Sequence, residues 1–185
     1  MAKVITGKVR LSFVHAFVPQ ANQNGGDPKY SVTCLIPKTD TKTVQAIKSA
    51  ISQARQDFCA KNGAQALPVT PKHTLYDGDG TRPSGDPFGE ECKGCYVITV
   101  SSKDKPLVIG RDGLEIMDAT ELYSGCYARV IMNFFGYNSN GNKGISAALQ
   151  GIQKWADGEP LGGARVTADD FNDGFDDGEA GDDWL

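Results

Sequence analysis

The residues between 125 and 137 alternate two chemistries at strand spacing. Tyr127, Arg129, Ile131, Asn133, Phe135 and Tyr137 fall on one face, and Cys126, Ala128, Val130, Met132 and Phe134 on the other. Side chains two apart share one side of a strand, so the second set reads as a plain core face. The first set offers flat rings with a cation and an amide between them. Rings stack on bases at about 1–3 kcal/mol each and cations track phosphates, so this face suits a single-stranded nucleic acid. The competing reading is a second buried face with its rings packed under a helix, because Ile131 interrupts the polar set. Lys8 and Arg10 on one expected strand, Lys29 and Tyr30 on the next, and Lys143 in the glycine-rich loop 138–144 add compatible groups.

A second constellation lies at the end of the chain. From Asp169 to Leu185 there are eight acids and no Lys or Arg. Glycines are interspersed, and the segment carries too few apolar residues to offset the entropy of ordering, so residues 164–185 are expected to form a disordered tail. An acidic tail can be a mere solubility appendage. Phe171, Phe175 and the terminal Trp184-Leu185 speak against that, because a partner pocket can desolvate them. Asp176, Asp177, Asp182, Asp183, Trp184 and Leu185 are the residues expected to meet protein partners such as a polymerase, helicase or nuclease. The tail also recasts the net charge. The whole chain carries 19 basic and 23 acidic residues, net −4; without the tail's eight acids, fifteen remain against 19, a body of +4. A tethered polyanion beside a basic domain competes for whatever surface binds a phosphate backbone.

Other motifs point to less. Cys92 and Cys95 have the spacing of a zinc or redox pair, but the remaining ligands Cys34, Cys59, Cys126, His15 and His73 supply no second pair at ligand spacing. Unligated thiols, no metal and no cofactor are expected. Asp77-Gly78-Asp79-Gly80 resembles part of a calcium loop but lacks the downstream Glu and flanking helices, so it reads as a turn. No Walker loop or Gly-x-Ser-x-Gly motif is present, and two distant histidines leave little for acid–base work. No enzyme activity is expected. No apolar run approaches the roughly 18 residues of a membrane helix, and the start has no secretory signal. Five scattered cysteines suit a reducing compartment, so a cytoplasmic protein is expected. Oligomeric state is left open, a homodimer included.

Something must hold these groups in place. Residues 3–18 alternate as a long strand, with Ile5, Val9, Leu11, Phe13 and Phe17 on one face and Thr6, Lys8, Arg10 and Ser12 on the other. Residues 29–37 return as a second strand after a turn-rich loop. Val44, Ile47, Ala50, Ile51, Ala54 and Phe58 recur at helical spacing, Asp40 or Thr41 can cap, and Asn62-Gly63 stops, which predicts an amphipathic helix over 41–61. The Pro- and Gly-rich stretch 64–94 reads as a long excursion, of the kind that in compact domains carries function or mobility. Strands resume at 95–102, 106–109, 125–137 and 145–155. Five or six strands with one helix packed on them is the element list of an OB-like barrel, assigned to residues 1–163.

The segments PKYSVTCLIPK at 28–38, GCYVITVSS at 94–102 and YSGCYARVIMNFFGYNSNGNKGISAALQGIQKWADGEPLG at 123–162 resemble the phage single-stranded DNA-binding proteins of the Enc34-like family. The resemblance spans most of residues 3–162. It implies an OB-fold core, sequence-tolerant binding of single-stranded DNA in replication or recombination, and kinship in design with T7-type proteins, whose acidic tail also ends in an aromatic. Here the end is Trp184-Leu185 rather than Phe. The alternative from another class is an acidic interaction or DNA-mimic protein with no DNA affinity of its own; a small zinc-dependent nucleic-acid enzyme is a third.

Overall fold

A computed structural model describes residues 2–21, 26–161, 171–172 and 174–175. Among them, eight strands and one long helix follow in the order β1 (Ala2–Ile5), β2 (Val9–Gln20), β3 (Lys29–Pro37), α1 (Thr41–Asn62), β4 (Leu75–Asp77), β5 (Cys95–Ser102), β6 (Leu107–Ile109), β7 (Tyr127–Ser139) and β8 (Asn142–Ala156). Five of them close a ring: β2 pairs β3, β3 pairs β5, β5 pairs β8, β8 pairs β7, and β7 returns to β2. Only β5–β8 is parallel within that ring. This is the strand order of an OB barrel, and closure removes the open edges that a flat sheet would present. The expected barrel and helix are therefore both present, with β1, β4 and β6 added at the margins of the ring.

The interior is aliphatic. Val9, Leu11, Val32, Cys34, Ile36, Ile98, Val100, Val130, Met132, Phe134, Ile145 and Leu149 are buried inside the ring. Desolvation pushes the fully enclosed Cys34 thiol up to about 12. The predicted apolar stripe of α1 closes this core, with Val44, Ile47, Ala50, Ile51 and Ala54 buried. Asp40 caps the helix: its carboxylate accepts from the Thr43 N–H (3.2 Å) and the Thr43 hydroxyl (2.7 Å). Gly63 ends it at φ 110°, a backbone state that L side chains rarely adopt. The helix lies across β1 and β7, and Gly136 on β7 has no Cβ where Phe58 seats.

Two departures from strict alternation reshape the first strand. The expected single strand over 3–18 is broken at Thr6-Gly7-Lys8. There the Thr6 N–H donates to the Val130 carbonyl, and the Thr6 hydroxyl oxygen accepts from the Val130 N–H, both at 3.0 Å. The break shifts parity, so Val4 and Thr6 point inward and Ile5, expected inside, is exposed. A bulge follows, since Ser12 faces Thr33 but the next paired residue, His15, faces Ser31. Phe13 sits in it at φ 47°, a residue 58% exposed rather than in the core face where alternation placed it. At the other end β7 and β8 run as one long hairpin through most of the expected loop. Asn140 and Gly141, at φ 53° and 89°, form its two-residue turn.

Candidate nucleic-acid interface

Because β2 bulges at Phe13, the outer rows of β2, β3 and β5 make a floor. Arg10 pairs Leu35, which pairs Val97; Ser12 pairs Thr33, which pairs Thr99. The Thr33 and Thr99 hydroxyls share a hydrogen bond of 2.9 Å across it. The excursion between α1 and β5 supplies the wall. β4 adds Tyr76 beside β5, and the following loop brings in Arg82, Pro83, Phe88 and Cys92. The result is a groove of about 270 Å³ with Phe13, Tyr76 and Phe88 around it. The Arg82 guanidinium stands 5.1 Å from the Phe88 ring, and the Tyr76 and Phe88 centroids are 6.4 Å apart. Rings with a cation over a hydroxylated floor provide the stacking platforms and phosphate partner that single-strand binding needs. The outer face of the second and third barrel strands is also where OB folds take oligonucleotides.

The residues singled out in the sequence do not form one surface. Tyr127, Lys8 and Arg10 come together at one end of this groove. The Lys8 ammonium lies 5.2 Å and the Arg10 guanidinium 6.0 Å from the Tyr127 ring. Arg10 also donates to the carbonyls of Gly125 (3.2 Å) and Glu159 (2.6 Å). Arg129 is exposed but does not line the groove, and its Nε donates to the Thr6 carbonyl. Asn133, expected on the binding face, is only 7% exposed, flanked by Lys3 of β1 and Ala148 of β8. Phe135 lies by Phe58 and Lys61 at the end of α1. Tyr137 and Lys143 are out on the β7–β8 hairpin, opposite Gly144 and Asn138. Lys29 and Tyr30 open β3 opposite Gln20 and Ser102. The tail residues Asp176, Asp177, Asp182, Asp183, Trp184 and Leu185 lie outside the described residues.

Phe13, Tyr76, Arg82 and Phe88 escape a reading of the sequence. Three of them belong to the Pro- and Gly-rich excursion, whose length is a signal of function but not of which residues turn inward. Phe13 gives no signal at all, because a bulge is not written in the alternation that it breaks. The thiols of Cys92 and Cys95 are pushed up by burial, which works against thiolate chemistry at that pair.

The sequence matches the family of the Enterobacter phage Enc34 ssDNA-binding protein over residues 2–184. It is 31% identical over 179 residues to protein p50 of Acyrthosiphon pisum secondary endosymbiont phage 1, covering 92% of this chain and 93% of that protein. The fold superposes on the single-stranded DNA-binding protein of bacteriophage Enc34, solved in complex with ssDNA, with a TM-score of 0.76 and 29% identity over 87% of this chain and 90% of that one. It also resembles gp2.5, a single-stranded DNA-binding protein encoded by bacteriophage T7, in fold, at TM-score 0.60 and 14% identity over 96% and 97% of the two chains. The chain belongs to the Enc34 family of phage single-stranded DNA-binding proteins.

Proposed function

We propose that the protein coats single-stranded DNA during phage replication or recombination in the host cytoplasm, and that it binds the strand in the groove over β2, β3 and β5. The observation that carries this is the clustering of Phe13, Tyr76, Phe88 and Arg82 on that face, in a chain whose relative from phage Enc34 was solved with ssDNA. Bases stack on the rings, while Arg82, with Lys8 and Arg10 at the end of the groove, neutralises phosphates. Such contacts read no base edges, so binding is sequence-tolerant and falls steeply with salt as counterions are released. Substituting Arg82 with Ala is expected to weaken oligo-dT binding and to lower the slope of log affinity against log salt by about 1, one phosphate contact. A slope equal to that of the parent would remove Arg82 from the phosphate path.

The tail competes for the same groove. The described chain runs Glu159-Pro160-Leu161 along its edge: Arg10 holds the Glu159 carbonyl, and Leu161 packs on the cluster of Leu35, Val97 and Cys92, as Phe88 does. The tail therefore departs from the edge of the groove, and its eight acids, which begin eight residues on at Asp169, compete at high effective concentration. Once DNA displaces them, the acids and Trp184 become a handle for a polymerase, helicase or nuclease. Deleting residues 169–185 is expected to tighten oligo-dT binding at low salt by about tenfold, or about 1.4 kcal/mol, and to have little effect at high salt. Equal affinities for the two chains at low salt would end the competition model.

A further inference from the structure

On the other side of β4 from the groove is a larger cavity, about 640 Å³, between α1 and residues 69–77. Tyr76 faces the groove, while its neighbours Leu75 and Asp77 face this cavity. The walls are largely aliphatic, from Ile51, Val69, Pro71 and Leu75, and Val69 is 85% exposed. Two rings line it, His73 and Tyr96, and Tyr96 has the Lys48 ammonium 5.2 Å and the Lys38 ammonium 5.5 Å from its centroid. Lys38 is itself bridged to Asp77 (2.7 Å) and Asp79 (2.6 Å). With Tyr96 already attended by two cations and His73 accepting from the Leu75 N–H (3.2 Å), the cavity is poorly made for stacking a base. An apolar pocket with Lys48 and Arg55 on its rim fits an acidic segment that ends in large apolar side chains.

This chain contains such a segment. Trp184-Leu185 follows Asp182-Asp183, and the terminal carboxylate adds another negative charge. We propose that the tip of the tail, residues 182–185, docks in the cavity between α1 and residues 69–77, with Trp184 and Leu185 on the aliphatic walls and the acids towards Lys48 and Arg55. Reach is sufficient. The 23 residues from Leu161 to Trp184 span up to about 75 Å when extended, against about 40 Å across a compact domain of this size. A chain leaving Leu161 at the groove and ending across β4 draws its acids over the groove on the way. The inference thus rests on the competition reading and gives the competitor an anchor outside the DNA path.

Trp184 reports on this directly in the full-length chain. Trp155→Phe leaves it as the sole tryptophan of the two. In that background, Trp184 emission is expected to be blue-shifted and protected from acrylamide at every protein concentration. Adding Val69→Asp with Lys48→Glu, both exposed positions, should return it to solvent values. The same pair should tighten oligo-dT binding by about tenfold at low salt, although it removes positive charge, because the competitor has lost its anchor. Solvent-like Trp184 in the parent, a blue shift that the cavity pair leaves unmoved, or one that appears only as concentration rises would each overturn the assignment. If the 169–185 deletion tightens DNA binding while Trp184 is solvent-like, docking fails and competition stands; if the deletion changes nothing, competition itself fails.

Discussion

Replacing Phe13 with glycine is expected to make the fold more stable and its hold on single-stranded DNA weaker. Phe13 occupies φ 47°, where an L side chain costs about 1–2 kcal/mol. The residue is 58% exposed and recovers only part of that by burial. Glycine adopts the conformation freely, so the variant should gain about 1 kcal/mol, or about 2–4 °C in Tm for a chain of this size. The ring it removes is the part of β2 that the bulge aims over the groove. Losing one stacked base costs about 1–3 kcal/mol, so oligo-dT binding should weaken by about fivefold to 150-fold. Phe13→Ala separates the two effects, since it loses the ring but keeps the strained backbone: DNA binding falls as far, with no gain in Tm. Phe13→Trp should hold most of the affinity. Thermal melts and oligo-dT titrations on the three variants decide the matter. A glycine variant that melts lower, or that binds as the parent does, would show that the ring serves the fold and not the strand.

Opposite signs for stability and binding at one residue also mark where the sequence could be read and where it could not. Period two in β7 names Ala128, Val130, Met132 and Phe134 as core, and all four are buried. Period 3.6 in α1 does the same for Val44, Ile47, Ala50, Ile51 and Ala54, because both patterns depend only on local geometry repeated over many residues. The groove depends on interruptions. The break at Thr6-Gly7 turns Ile5 outward, and the bulge turns out Phe13, so a face drawn by counting in twos from Ile5 to Phe17 crosses from one side of the sheet to the other. On β7 the alternation is regular, yet its outer face wraps the barrel. Tyr127 reaches the groove through Arg10, whereas Arg129 lies against Thr6 on another side. The wall comes from residues distant in sequence from the floor, and only tertiary packing sets Tyr76, Arg82 and Phe88 over Thr33 and Thr99.

Residues 158–161, from which the tail departs, are held against the barrel at one glycine, and substituting it should have the larger effect on stability. Gly125 is buried at φ 114°; its N–H donates to the Leu11 carbonyl (2.8 Å) and its own carbonyl accepts from Arg10. A Cβ at Gly125 would run into the Glu159 carbonyl and the Pro160 backbone, and one at Gly158 would meet the Gly125 carbonyl. At Gly125 the chain meets residues 159–160 backbone to backbone, and none of the atoms nearest its Cβ position belongs to a flexible side chain that could give way. Gly125→Ala therefore combines a conformation that alanine rarely adopts with a clash against main chain, and should cost about 3 kcal/mol or more. Gly63 supplies the control. It has nearly the same φ, 110°, but a Cβ there would meet nothing within 4 Å, so Gly63→Ala bears the conformational cost alone, about 1–2 kcal/mol. Urea midpoints of the two variants should differ by the clash. Equal losses would mean that residues 158–160 move aside at no cost, and then the clasp does not fix where the tail begins. If it does, the folded Gly125→Ala protein should bind oligo-dT at low salt with an affinity between those of the parent and the tail deletion, because the root of the tail is loosened while its acids stay tethered.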